Sequence, residues 1–122
     1  KLPVLGISVR QPREKQIDAL WALVRKTADK LKLPEILRDK VLVDDNYVGE
    51  GYGIPTDGTI EAITLLAQTE GILLDPVYSG KGMAGLIDLI RKGVYRKEQR
   101  ILFLHTGGSA ALFAYERELF IS

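Results

Sequence analysis

The chain has 122 residues, enough for one domain, and a net charge of only +1 from 17 basic and 16 acidic side chains. Apolar residues make up 46% of it, which argues against disorder, and the balanced charge gives no electrostatic footprint for nucleic acid or an acidic membrane. The absence of cysteine excludes disulfides, thiolate catalysis and zinc sites with cysteine ligands. No apolar run approaches the roughly 20 residues that span a bilayer, and nothing favours secretion, so we expect a cytoplasmic protein.

The first third of the chain predicts a strand, a long helix and a second strand. Val4–Val9 is an apolar, β-branched run typical of a buried strand, and Pro12 suits the first turn of a helix. Apolar residues then recur at helical spacing, with charged residues between them: Ile17, Leu20, Trp21, Val24, Ala28 and Leu31. Pro34 should begin a short second turn of helix, and Val41–Val43 should form a second strand.

Two loops rich in turn-forming residues interrupt the middle of the chain. The glycines and proline of residues 49–55 break regular structure, after which Asp57 or Gly58 can cap a helix. That helix should turn four apolar residues towards a core: Ile60, Ile63, Leu66 and Ala67. Ile72–Leu74 is predicted as a short buried segment, and residues 75–81 as a second polar loop.

The last third predicts a helix, a strand and a final helix. Four apolar residues at helical spacing predict the first helix: Met83, Leu86, Ile87 and Ile90. This helix should end near Gly93, because glycine fits a C-terminal cap. Residues 101–104 predict a third clear strand that runs directly into residues 105–108. The final helix should carry Ala111, Leu112 and Tyr115.

The alternation of strands and helices predicts an α/β fold with a mainly parallel sheet flanked by helices. Ligands bind such sheets beyond the carboxyl ends of the strands. Each unusual loop follows a strand-like segment, so the loops could converge on one edge of the sheet. The chain begins inside a strand pattern, with neither an initiator methionine nor a signal peptide, so we expect it to be cut from a longer protein.

The loop at residues 44–55 offers acidic residues, glycines and tyrosines, but no clear ligand set. Asp44 and Asp45 could contact a cation, yet hard cations need more oxygen ligands than two carboxylates supply. A solvated turn is the favoured interpretation, and we expect no metal. The glycines also lack the spacing of the dinucleotide-binding fingerprint.

The loop at residues 75–81 is more specific. Tyr78 lies between a proline corner and Ser-Gly-Lys at the start of a helix, where its phenol and the neighbouring hydroxyl could enter a pocket. Lys81 could serve as a nucleophilic amine if it were desolvated. At the start of a helix, however, a lysine is more often a surface residue, so the residues alone leave both interpretations open.

His105 is the only histidine, which excludes a pair of histidine metal ligands. A triad using Ser109 has no support because the nucleophile elbow is missing, so an intact small hydrolase is disfavoured. Residues 106–109 could offer backbone amides to an anion or could form a tight turn. A lone histidine at a strand end is more often structural than catalytic.

Three segments, residues 52–62, 69–81 and 103–108, together resemble the D-cysteine desulfhydrase and 1-aminocyclopropane-1-carboxylate (ACC) deaminase group of tryptophan-synthase β-like enzymes. The specific features are Asp-Pro-Val-Tyr at 75–78 and His-Thr-Gly-Gly at 105–108, and the resemblance covers essentially the whole chain in order. It implies that residues 1–122 are the C-terminal part of the large domain of a fold-type II pyridoxal-phosphate (PLP) enzyme. The Schiff-base lysine and the phosphate-binding loop would precede this chain, and Lys81 does not match the lysine position.

The resemblance also implies roles for five residues. Tyr78 matches the tyrosine that lies against the PLP ring, and Tyr52 matches a second active-site tyrosine near the substrate. Ser79 and Thr106 match the two positions nearest the pyridine nitrogen, and Gly107 joins them in binding the cofactor. ACC deaminases typically carry Glu and Leu at the positions of Ser79 and Thr106, whereas desulfhydrases carry hydroxyl residues, as here.

These implications favour β-elimination of D-cysteine to pyruvate, hydrogen sulfide and ammonia. The alternatives are cleavage of ACC to 2-oxobutyrate and ammonia, and a non-catalytic α/β module that binds a small ligand or a partner. The expected partners are a small amino-acid substrate, the N-terminal half of the same protein and a second copy in a homodimer. No nucleic acid or membrane is expected, and the 122 residues alone should be inactive.

Overall fold

The computed structural model describes residues 2–120, which form a short parallel strand pair and a set of helices. The elements in chain order are β1 (Leu5–Ile7), α1 (Arg13–Leu31), β2 (Leu42–Asp44), α2 (Asp57–Glu70), α3 (Ser79–Arg91) and α4 (Glu116–Phe120). Single 3₁₀ stretches lie at Arg38–Lys40 and Ser109–Ala114. None of the helices between residues 2 and 120 is long and apolar enough to cross a membrane.

The strands β1 and β2 pair in parallel, with Leu5 opposite Leu42 and Ile7 opposite Asp44, and α1 connects them. This β-α-β unit confirms the predicted α/β class. The first strand is shorter and less buried than predicted, because Val4 is 76% exposed and Leu5 is 38% exposed. The most buried residue of this region is Ser8, whose backbone N–H donates to Asp44 O at 2.8 Å.

Helix α1 follows the predicted apolar pattern. Its first turn is capped by a residue that lies just beyond β2. The side chain of Asp45, just beyond β2, accepts a hydrogen bond from the Arg13 N–H at 2.7 Å and so satisfies one free donor of the first turn. The helical turn predicted at Pro34 is wrong: residues 33–37 are not helical, and the short turn comes at Arg38–Lys40. The Trp21 indole of α1 donates to Ile36 O at 3.2 Å, which links residues 33–37 to the helix. The backbone of Leu37 is extended.

Helix α2 begins with a capping box formed by two threonines. Thr56 Oγ1 accepts from the Thr59 N–H at 3.1 Å, and Thr59 Oγ1 accepts from the Thr56 N–H at 3.3 Å. The cap is therefore Thr56 and not the predicted Asp57 or Gly58, because only the threonine stands directly before the helical backbone with its hydroxyl aimed at the third N–H.

The core lies between α2 and α3. Its fully packed residues come from both helices and from the loop between them: Ala62, Ile63, Leu74, Met83 and Ala84. Helix α3 ends as predicted, since Gly93 follows it in a left-handed conformation at φ 71°, where its N–H donates to Ile90 O at 2.9 Å.

Two predicted strand-like segments are not strands among residues 2–120. In Ile72–Leu74 only Leu74 is buried, and residues 101–104 are largely exposed, with Leu102 at 88% and Leu104 at 78%. A strand exists only where a neighbour completes its hydrogen-bond ladder, and β1 and β2 are the paired strands of the described chain. The predicted last helix is also wrong in part, because a 3₁₀ turn reaches Ala114 and Tyr115 interrupts it before α4.

Candidate functional site

A single buried carboxylate organises the loop before α3. Asp75 is 0% exposed, and its Oδ2 accepts from the N–H groups of Val77 at 2.8 Å and Tyr78 at 2.7 Å. Its Oδ1 accepts from the N–H and the hydroxyl of Ser79 at 2.8 and 2.6 Å. Burial by itself raises the pKa of this carboxyl, but the hydrogen bonds from Ser79, Tyr78 and Val77 outweigh burial and hold the pKa below its usual value. Asp75 is therefore an ionised cap for the first turn of α3.

The Asp75 carboxylate buries the side chain of Ser79 but leaves the ring of Tyr78 half-exposed. Ser79 is 5% exposed; its hydroxyl donates to Asp75 Oδ1 and accepts from the Asp75 N–H at 2.8 Å, so one lone pair remains on its oxygen. Tyr78 is 48% exposed, so its ring points away from the core. The turn therefore presents a phenol to solvent beside a hydroxyl whose proton is already committed.

Tyr52 and Tyr78 form a pair across two loops. Their rings meet edge to face with centroids 5.9 Å apart, and their phenol oxygens share a hydrogen bond. This hydrogen bond from Tyr52 is the main reason that the pKa of Tyr78 is raised. The guanidinium of Arg10 lies 5.7 Å from the centroid of the Tyr52 ring, on its face. The two predicted tyrosines are thus in contact, although no sequence signal pointed to Arg10.

Lys81 is buried, as only the desolvated one of its two open interpretations requires. Its side chain is 0% exposed, and its Nζ donates to Val48 O at 2.6 Å and Gly51 O at 2.8 Å. Burial lowers the pKa of this ammonium. The two carbonyls belong to residues 45–56, hereafter the Tyr52 loop, which connects β2 to α2.

Residues 105–108 pack against the same turn. The Gly107 N–H donates to His105 Nδ1 at 3.0 Å, so the ring proton lies on Nε2, which faces Leu73 O at 3.0 Å. Gly108 has φ 98°, and a Cβ there would lie 2.8 Å from Asp75 Oδ1. Only glycine fits this approach. His105 therefore has a structural role, because its two ring nitrogens contact the backbone at Gly107 and Leu73. Thr106 and Gly107 are exposed.

The acidic residues at the end of β2 and just after it, Asp44 and Asp45, accept hydrogen bonds from nearby groups. Asp44 Oδ1 accepts from the backbone and side-chain N–H groups of Asn46 at 3.0 and 2.6 Å, and Asp45 caps α1. Among residues 2–120, no group of three or more His, Asp or Glu side chains could hold a metal ion. The favoured turn interpretation of this loop agrees with these contacts.

The structure thus brings together the segments that carry all five predicted site residues, and it adds Asp75 and Lys81. Asp75 had a usable signal, since an aspartate followed within four residues by a helix start is typical of side-chain capping. The only functional role that the sequence suggested for Lys81 was that of a nucleophile, and its contacts had no signal because the two carbonyl partners lie 30 and 33 residues earlier in the chain. The roles of Tyr52, Tyr78, Ser79, Thr106 and Gly107 towards a ligand stay predictions.

Comparison with known proteins gives one consistent family. A family model described as pyridoxal-phosphate dependent enzyme matches residues 3–107. A D-cysteine desulfhydrase of Klebsiella pneumoniae is 44% identical over 95% of this chain, and a 1-aminocyclopropane-1-carboxylate deaminase of Burkholderia vietnamiensis is 42% identical over 92%. The crystal structure of an ACC deaminase homologue superposes with a TM-score of 0.82 at 36% identity over 94% of this chain. The chain spans about a third of each relative, at 35%, 33% and 34% of their lengths.

The described residues fit one side of the cofactor after which this family is named. The half-exposed ring of Tyr78 is a flat surface on which a pyridine ring can stack, and Thr106 is exposed in the segment whose Gly108 lies against Asp75. Ser79 keeps one lone pair for a further donor. Since the family model covers residues 3–107 and the fold matches that of an ACC deaminase homologue, this chain belongs to the pyridoxal-phosphate dependent enzymes, with the α/β architecture of fold type II.

Proposed function

We propose that the chain is the C-terminal part of the large domain of a PLP-dependent lyase, and that the full-length protein converts D-cysteine to pyruvate, hydrogen sulfide and ammonia. The proposal is supported by the 44% identical relative named D-cysteine desulfhydrase, and by the share of about one third that this chain makes of its relatives. The observation that carries the choice of substrate is the presence of hydroxyl residues, Ser79 and Thr106, at the two positions where ACC deaminases typically carry Glu and Leu.

In this proposal Tyr78 and Tyr52 play different parts. PLP, when bound, withdraws electrons from the carbon next to the substrate nitrogen. The ring of Tyr78 would pack against the cofactor ring, while its phenol shares a hydrogen bond with Tyr52. Because Tyr52 reaches the substrate side, the pair can hold or pass a proton at the Tyr52 oxygen. A tyrosine phenol is protonated at neutral pH, and the hydrogen bond from Tyr52 raises the pKa of Tyr78 further, so this ring is a neutral stacking surface.

Ser79 and Thr106 set how strongly the pyridine nitrogen is protonated. Asp75 holds the proton of Ser79, so Ser79 would only accept, from a protonated pyridine nitrogen, whereas the exposed Thr106 hydroxyl would donate to an unprotonated one. Neither group carries a charge that would force protonation, as a carboxylate would. That electron sink suffices where a thiolate leaves readily, but opening an unactivated cyclopropane ring is harder.

The second candidate is ACC deamination, with 2-oxobutyrate and ammonia as products. It is favoured by the 42% identical relative and by the solved structure with a TM-score of 0.82, both of which carry an ACC deaminase name. The two activities differ in the product that each releases, so one assay separates them.

The test is the double variant Ser79→Glu, Thr106→Leu in the full-length protein. We expect the ratio of 2-oxobutyrate from ACC to pyruvate from D-cysteine to rise, because a carboxylate then faces the pyridine nitrogen. The matched control places the same side chains on the exposed surface of α2, as Gln68→Glu with Thr64→Leu, and should leave the ratio unchanged. A ratio that does not move in a double variant that still folds and binds PLP would rule out these two residues as the determinants.

A further inference from the structure

Both peptide carbonyls that flank Tyr52 are bound from distant parts of the chain. On one side Lys81 Nζ, from α3, donates to Gly51 O at 2.8 Å and to Val48 O at 2.6 Å. On the other side the phenol of Tyr115 donates to Gly53 O at 2.8 Å. Hydrogen bonds from distant residues therefore hold the Tyr52 loop at the residue before Tyr52 and at the residue after it.

Of these two attachments, the one made by Lys81 is charge-assisted and therefore stronger than the one made by Tyr115, but it requires the burial of a charged group. Lys81 is 0% exposed, and no carboxylate of residues 2–120 lies within salt-bridge distance of it. Burying an ammonium without a counter-ion is expensive unless it is hydrogen-bonded. Two of the three Nζ–H donors of Lys81 make charge-assisted bonds to carbonyls, which offset part of that cost. A methionine would fill the same space without this cost, so packing alone does not explain the lysine.

The position of Lys81 on α3 links the loop to the other tyrosine. Tyr78 is the residue before α3, and Lys81 follows it by three residues, so both belong to the turn that opens α3, with the Tyr78 ring half-exposed and Lys81 buried. The ammonium thus connects the turn that presents Tyr78 to the loop that presents Tyr52. Their phenols meet in the hydrogen bond described above.

We propose that Lys81 is a positioning residue, which holds the Tyr52 loop on the first turn of α3 so that Tyr52 stays in contact with Tyr78. Its importance for catalysis rests on the proposed lyase function, but the contact itself does not. The same geometry excludes Lys81 as a nucleophile, because its amine is enclosed and donates to two carbonyls.

The test compares Lys81→Met with Lys30→Met, an exposed lysine of α1, in the full-length protein. Two readouts need no turnover: the rate of proteolytic cleavage within residues 49–53, and the titration of Tyr78 followed by NMR of ¹³C-labelled tyrosine. In Lys81→Met we expect cleavage to accelerate at least about tenfold, since the loop loses two charge-assisted bonds. The pKa of Tyr78 should fall towards its usual value because its partner moves away. Lys30→Met should match the unaltered protein in both.

A lower melting temperature in Lys81→Met with unchanged cleavage and unchanged Tyr78 titration would overturn the proposal, because Lys81 would then only support the fold. If Lys81→Met does not fold, acetylation of the unaltered protein supplies a second perturbation, since it removes the charge in place. Lys81 should react at least about tenfold more slowly than Lys30, and molecules acetylated at Lys81 should be cut faster in the loop. Equal labelling of the two lysines, or acetylation of Lys81 without faster cutting, would overturn it. D-cysteine turnover, assayed separately, tests the lyase function and not this contact.

Discussion

At the scale of single residues, Asp75 does the most to shape the site. Four hydrogen bonds converge on its carboxylate and fix the backbone that carries Tyr78 and Ser79. In Asp75→Asn an amide nitrogen replaces one acceptor oxygen and faces N–H donors, which become unsatisfied inside the protein. We predict a loss of about 3 kcal/mol in the free energy of unfolding, measured by urea denaturation.

The control for this prediction is Asp29→Asn, on the exposed face of α1 in its last turns, where a negative charge is not favoured by the helix dipole. It should change stability by less than about 0.5 kcal/mol. Equal effects of the two substitutions would mean that the charge of Asp75, and not its bonds, is what matters.

At the scale of elements, the junction of α2, α3 and the Asp75 turn leaves no room at Gly80. A Cβ there would lie 2.5 Å from Asp75 O and 3.0 Å from Thr59 Cγ2, and backbone cannot move aside cheaply. We predict that Gly80→Ala destabilises the protein by about 2 kcal/mol, measured by thermal or urea unfolding.

Gly82, two residues later on the same helix, provides the matched comparison. Its nearest neighbour would be Phe103 Cε2 at 3.4 Å, at the edge of ordinary contact. Since alanine is the better helix former, Gly82→Ala should be neutral or stabilise by roughly 0.5 kcal/mol. A similar loss in both variants would show that α3 tolerates no added methyl group, which would contradict the local explanation.

Elements defined by local pattern were predictable, and those that depend on distant partners were not. Helix α1 follows from the spacing of its apolar residues, and Gly93 marks the end of α3 by its own backbone preference. Residues 101–104 have the composition of a strand, but strand formation needs a neighbour that composition does not supply. The site behaves in the same way. Motifs predicted Tyr52, Tyr78 and the segment at 105–108, whereas the buried Lys81 depends on carbonyls 30 and 33 residues away.

At the scale of the whole molecule, several large apolar side chains are strongly exposed, and these are the ones that the remainder of the proposed full-length lyase would cover. Leu102 is 88% exposed, Leu104 78% and Phe113 90%, and the chain spans about a third of the relatives that it matches. We predict that in the full-length protein residues 101–104 pair with a further strand. Amide hydrogen exchange should then be slow there in the full-length protein and fast in the 122-residue chain studied alone. Fast exchange in both would contradict this pairing.

The most direct test of the proposed function is product formation by the purified full-length protein loaded with PLP. Pyruvate and hydrogen sulfide from D-cysteine would be measured beside 2-oxobutyrate from ACC, under the same conditions. We predict rapid formation of pyruvate with sulfide, and little or no 2-oxobutyrate. Faster release of 2-oxobutyrate from ACC than of pyruvate from D-cysteine would contradict the assignment of Ser79 and Thr106, and absence of both products from the PLP-loaded protein would contradict the lyase itself.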